Sequence, residues 1–158
     1  MSSPPGFDDF LSFSSTITGF PQSQLVGTGQ AEAYLETARE IAGDAAVNEL
    51  LEAHRSALVA ANGNEAERDR GIRRDIMSHD KLGPLARNLI KLWYVGTWYE
   101  LGEDWRDKYG TSEKDATFVV SPNAYTEGLL WPAIGANPPG AKPHGYGMWA
   151  TPPRIEPT

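Results

Sequence analysis

The sequence predicts an all-α protein: a small, irregular helical bundle over residues 1–131, followed by a long arm rich in proline, glycine and aromatic residues over 132–158. Three observations lead there. Apolar residues recur every three or four positions in successive stretches of the first hundred residues, the period of a helix with one buried face. Alternating β-branched runs are too few for a sheet of any size. Seven of the twelve prolines fall between Pro132 and Pro157, among Tyr146, Met148 and Trp149, a combination too aromatic for a solvated tail.

Taken in order, Asp8 to Thr18 places Phe10, Leu11, Phe13 and Ile17 on one side and stops at Gly19 and Pro21, which predicts a short helix. A loop is expected over Pro21–Gln30. Ala33, Tyr34, Ala38 and Ile41 then keep helical spacing as far as Gly43. Asp44 is placed to cap the next helix, in which Val47, Leu50, Leu51, His54 and Leu58 line one face until Gly63. Glu65 to His79 is mostly charged and reads as a surface helix that buries only Ile72, Ile76 and Met77.

Gly83-Pro84 opens a helix whose Leu85, Leu89, Ile90, Leu92, Trp93, Val95 and Trp98 cover more than one face, so this segment should be central and buried nearly all round. The segment is expected to run on to Leu101, and Gly96 within it permits the close approach of a neighbouring backbone, of this chain or of a partner. From Gly102 to Ser121 the period is lost, and a loop is expected with one extended segment over Thr117–Val120. Ser121-Pro122 pairs an N-cap with a proline at the first helical position, starting a short helix over 123–131 that Pro132 should end.

Composition narrows the function classes. At 158 residues the chain is long enough for one self-sufficient core, and the absence of cysteine removes disulfides, thiolate catalysis and cysteine metal sites. A formal charge of −7 argues against nucleic acid and anionic membranes as partners, because both demand clustered Lys and Arg. The basic run Arg68–Arg74 is interleaved with Glu67, Asp69 and Asp75 and reads as a solvated helix face. No stretch approaches the roughly 18 apolar residues of a membrane span.

Candidate chemistry is sparse. His54 lies between Leu50 and Leu58 and reads as a packed, hydrogen-bonded histidine; His79, before Asp80, as a helix cap whose imidazolium meets the carbonyl dipole; His144, in the arm, as a binding residue. Their spacing matches no zinc or iron motif. Glu100, Glu103, Asp104 and Asp107 stand beside Trp98, Tyr99 and Trp105, so carboxylates and indoles together would suit a sugar platform, although a solvated acidic loop explains the same residues. The glycines form no dinucleotide loop and the serines no nucleophile elbow, so no cofactor and no catalytic set is expected on this chain.

Three segments carry a resemblance: FLxFSxxITG at Phe10–Gly19, WYxG at Trp93–Gly96, and NAYxEGLxWPAIGANPPGAKPxGYGxWAxPP from Asn123 to Pro153. Together the chain resembles the small (gamma-type, accessory) subunit of bacterial FAD-dependent GMC-type sugar and polyol dehydrogenase complexes, exemplified by sorbitol, fructose, glucose and glucoside 3-dehydrogenases. The resemblance implies a non-catalytic companion that supports folding, FAD incorporation, stability or export of a catalytic GMC-type subunit. FAD would sit on that partner, with an iron–sulfur cluster or haem c on the complex and, in some members, a cytochrome c subunit. Such complexes are commonly exported to the periplasm behind a twin-arginine signal; this sequence carries none, which leaves a removed signal, a signal on the partner, or a cytoplasmic complex.

The stiff aromatic arm fits that reading, since proline lowers the entropy lost on docking and an obligate interface would exceed about 2,000 Å². Its contacts are assigned to Tyr125, Trp131, Pro138, Pro139, His144, Tyr146, Met148 and Trp149, with Trp93, Tyr94 and Trp98 supporting the arm or sharing the contact, and core burial as the simpler reading of Trp93 and Trp98. The alternative is a carbohydrate-binding helical module using Trp98, Trp105 and the acidic loop; a small independent enzyme is the third reading.

Overall fold

The computed structural model describes residues 3–136, and the arm residues Pro138, Pro139, His144, Tyr146, Met148 and Trp149 lie outside them. In chain order the elements are α1 (Phe7–Thr18), α2 (Gln22–Gly27), α3 (Ala31–Ala42), α4 (Asp44–Ala61), α5 (Glu65–Ile72), a π-turn (Arg73–Met77), α6 (Leu82–Val95), β1 (Thr97–Trp98), α7 (Glu103–Tyr109), β2 (Phe118–Val119), α8 (Pro122–Thr126) and α9 (Leu130–Ile134). The all-α class expected from the periodicity holds; among the described residues the only sheet is the two-stranded antiparallel β1–β2 pair, with Thr97 opposite Val119 and Trp98 opposite Phe118.

α6 is the central element, but it ends at Val95, where Gly96 turns left-handed, and Trp98, expected on the same helix, falls in β1. It touches α1, α3, α4, the π-turn, β1 and α9, and only Arg87 and Lys91 along it are exposed. Its Trp93 gathers the others: the indole stacks on Phe10 of α1 at 6.2 Å, meets the Tyr34 ring of α3 edge-on at 4.9 Å, and donates from Nε1 to Ser14 Oγ at 2.9 Å. The polar edge of a large apolar ring is thereby satisfied inside the core.

Several local readings are corrected. The expected loop over Pro21–Gln30 contains α2, a single turn and a half whose only buried side chain is Leu25; one apolar anchor gives no readable period. Asp44 lies inside the first turn of α4 rather than capping it, and pairs with Arg39 Nη1 at 3.3 Å. The charged helix expected over Glu65–His79 widens after Ile72 into the π-turn, where Ser78 N–H reaches Arg73 O and the Met77 carbonyl accepts from Arg87 Nη1 at 3.1 Å. Across the widening Ile76 is fully buried in the core while Arg73, Arg74 and Asp75 stay exposed.

Between Gly102 and Ser121 a helix, α7, replaces the first part of the expected loop, held by the single buried Trp105 among charged residues. The helix expected over 123–131 is broken in two. Ser121 Oγ does accept from Ala124 N–H at 3.0 Å, capping α8 with Pro122 at its start. However, Gly128 then lies against α6, where an added Cβ would fall 2.5 Å from the Tyr94 carbonyl oxygen, and Leu129 N–H donates to Trp93 O at 2.9 Å. The chain restarts as α9, and Pro132 sits in its first turn, where a missing N–H breaks no helical bond, so α9 runs across the expected boundary at 131/132.

Gly96 is the second close contact. Its φ is +66°, and a Cβ there would fall 2.6 Å from the carbonyl carbon and oxygen of Ala124, so the backbone it admits belongs to this chain. Gly96→Ala combines left-handed strain with a clash against fixed backbone and should lower the unfolding free energy by about 3 kcal/mol. Urea unfolding of the variant checks this; an unchanged midpoint would show that α8 does not rest on Gly96.

Candidate functional site

Three places hold the residues singled out from the sequence: a buried carboxylate beneath β1 and α7, the α1–α4 seam, and the corner between α8 and α9.

Asp115 organises the first. Its side chain is buried, Oδ1 accepts from Trp98 Nε1 and from Leu101 N–H, each at 3.0 Å, and Arg106 Nη2 lies 3.5 Å from Oδ2. Three donors on one carboxylate compensate its removal from water. Trp98 is 0% exposed, and the buried Trp105 donates from Nε1 to Lys81 O at 2.9 Å. Neither indole therefore presents a face to solvent, and the sugar platform expected of Trp98 and Trp105 loses both of its rings to the protein's own packing. Glu100, Glu103, Asp104 and Asp107 are exposed, the last three on α7, where Glu103 and Asp104 stand in the first turn and favour the helix dipole. Sequence reasoning missed Asp115, which follows Lys114 in a polar loop with no period or motif to mark it.

At the α1–α4 seam His54 is 2% exposed, with Phe13 edge-on at 5.5 Å and Thr16 Oγ1 at 3.0 Å from Nε2. The Thr16 hydroxyl donates to Ser12 O at 3.1 Å, so it accepts from the imidazole Nε2–H. The packed, hydrogen-bonded histidine is what the structure contains. Burial lowers its pKa from 6.5 to about 4, helped by Arg68 and Arg55 against the opposing pull of Asp9. His79 corrects the dipole reading: Nδ1 accepts from the N–H groups of Lys81 and Leu82 at 3.1 and 3.2 Å, so the ring caps the start of α6 as an acceptor.

Of the eight expected partner contacts, Tyr125 and Trp131 are described, and they come together at the α8–α9 corner. Their rings meet edge-on at 5.6 Å, and Trp131 Nε1 donates to Tyr125 O at 3.0 Å. Tyr125 is 42% exposed, Trp131 half-buried, and Ile134, three residues further along α9, is 61% exposed. Trp93 and Trp98 belong instead to the core, and Tyr94 is half-buried with its hydroxyl donating to Thr18 O at 3.2 Å. Among the described residues no group of three or more His, Asp or Glu could hold a metal ion, and no helix is long and apolar enough to cross a membrane.

Fold and sites together define a small helical bundle with a buried polar clasp and an apolar corner at α8–α9, after which the sequence turns rich in proline. Comparison with protein-family models, with curated proteins and with solved structures finds no match.

Removing the clasp by Asp115→Ala leaves the Trp98 indole N–H and the Leu101 amide without their acceptor and should destabilise the protein by about 3 kcal/mol, read by urea unfolding. His54 gives a pH signature. Because its pKa is lowered on folding, the unfolded chain binds the proton more readily, and stability falls as pH drops from 6.5 towards 4, with no contribution from His54 above that window. The slope reaches at most roughly 1.4 kcal/mol per pH unit. His54→Gln should flatten the curve there; an equal slope in both proteins would contradict the buried neutral imidazole.

Proposed function

We propose that this chain is the non-catalytic small subunit of a GMC-type, FAD-dependent sugar dehydrogenase complex, supporting folding, FAD incorporation, stability or export of the catalytic subunit. The observation that carries the reading is the run from Asn123 to Pro153, whose proline and aromatic pattern resembles that subunit class and whose first aromatic pair, Tyr125 and Trp131, stands at the protein surface rather than in its core. An extended, stiffened segment with spaced aromatic anchors loses little entropy on docking.

The disposition of the polar groups is consistent with this role. Among the described residues, His54, His79 and Asp115 are each committed to holding helices or loops in place. On this reading the flavin, and any iron–sulfur cluster or haem c, belong to partner subunits, and the location of the chain follows the partner, periplasmic when the complex is exported.

The test is co-expression with a GMC-type FAD-dependent catalytic subunit, the partner that this reading requires. Removing residues 137–158 leaves every described element in place, yet should reduce recovery of the complex at least roughly tenfold, as expected for loss of several interface anchors. Undiminished recovery and flavin content with the shortened chain would defeat the assignment of the arm to the partner.

A further inference from the structure

The apolar corner between α8 and α9 has two notable properties: it is held by backbone contacts from behind, and the described residues end beside it at Ala136. Behind it, Leu129 N–H is bonded to Trp93 O at 2.9 Å, Gly128 lies on the Tyr94 carbonyl, and Gly96 lies on Ala124. Each is a backbone contact to α6, the most buried element, so α8 and α9 have little freedom to turn their apolar side chains inward. In front, Tyr125, Trp131 and Ile134 remain in contact with solvent, with Trp131 and Ile134 on one side of α9 at i, i+3 spacing. β2 contacts α8 and adds Val119 at 52% exposure.

We propose that this corner, centred on Ile134, docks directly on an apolar surface of the flavoprotein subunit, as the preorganised part of the interface that the arm completes. The inference rests on the accessory-subunit reading. What identifies the occupant is where the chain goes. Twenty-two residues follow Ala136, with six prolines and Tyr146, Met148 and Trp149 among them. A partner that takes these anchors is brought against the corner from which they depart, and the second contact then forms at high effective concentration. A corner whose backbone is already fixed loses little loop entropy on binding, so it should contribute out of proportion to its size.

The experiment measures affinity between this chain and the GMC-type catalytic subunit for wild type, Ile134→Lys, Tyr125→Ala and Val59→Lys, and for the chain lacking residues 137–158. All three substituted side chains are exposed, and circular dichroism checks that helicity is retained. Ile134→Lys and Tyr125→Ala should each weaken binding roughly tenfold or more, whereas Val59→Lys, on α4, should leave it unchanged. The shortened chain should retain weak binding that Ile134→Lys abolishes.

Loss of binding on removing 137–158 with full affinity for Ile134→Lys overturns the corner while sparing the accessory-subunit reading. Failure of the wild-type chain to bind any GMC-type catalytic subunit overturns both. Dimerisation of the isolated chain that Ile134→Lys abolishes would assign the corner to a second copy. Binding of an apolar dye by the shortened but not the full chain, lost again with Ile134→Lys, would assign it to residues 137–158. Either result rejects the proposal.

Discussion

The fold depends on one indole. Trp93 lies where α1, α3, α6 and the start of α9 meet, stacked on Phe10, edge-on to Tyr34, hydrogen-bonded to Ser14, and offering its own carbonyl to Leu129. A smaller apolar residue would leave a cavity between two helices and a buried serine hydroxyl without its donor, two penalties at one position. Through Leu129 the same residue fixes the path of the chain after α8, so the core and the position of the apolar corner are set together. Glycine at 96 and 128 completes that arrangement by letting backbone approach backbone where any side chain would intrude.

How much of this was legible in the sequence follows from how the signals are distributed. α1, α3, α4 and α6 were readable because each buries a repeated stripe, and the all-round apolar character of α6 announced its central place. α2 and α7 were not, since each is pinned by one buried residue, Leu25 or Trp105, and a single anchor has no period. The split of α8 from α9 depends on Gly128 meeting Tyr94, a contact between segments more than thirty residues apart, and overrides a local pattern that favours one helix. The π-turn likewise answers a tertiary demand, the burial of Ile76 beside α6.

The same distinction governs the sites. His54 was readable as a packed residue because its helical position placed it on the apolar face. Asp115 was invisible because its importance lies in three donors that arrive from separate parts of the loop, and only folding brings them together. Tryptophans near carboxylates suggested a sugar platform; in the fold the Trp98 and Trp105 indole N–H groups turn inward, the first to Asp115 and the second to the Lys81 carbonyl. The aromatic and aliphatic side chains left in contact with solvent include Tyr125, Trp131 and Ile134 at the α8–α9 corner, and on the proposed reading these serve to hold another protein.

On the proposed reading, the chain acts by what it does to its partner, and the flavin content of that partner tests it most directly. Expressed with the full chain, the GMC-type catalytic subunit that the reading requires should be soluble and carry close to one FAD per polypeptide; expressed without it, that subunit should be largely insoluble or flavin-free. Equal solubility and equal flavin content in the two preparations would contradict the account.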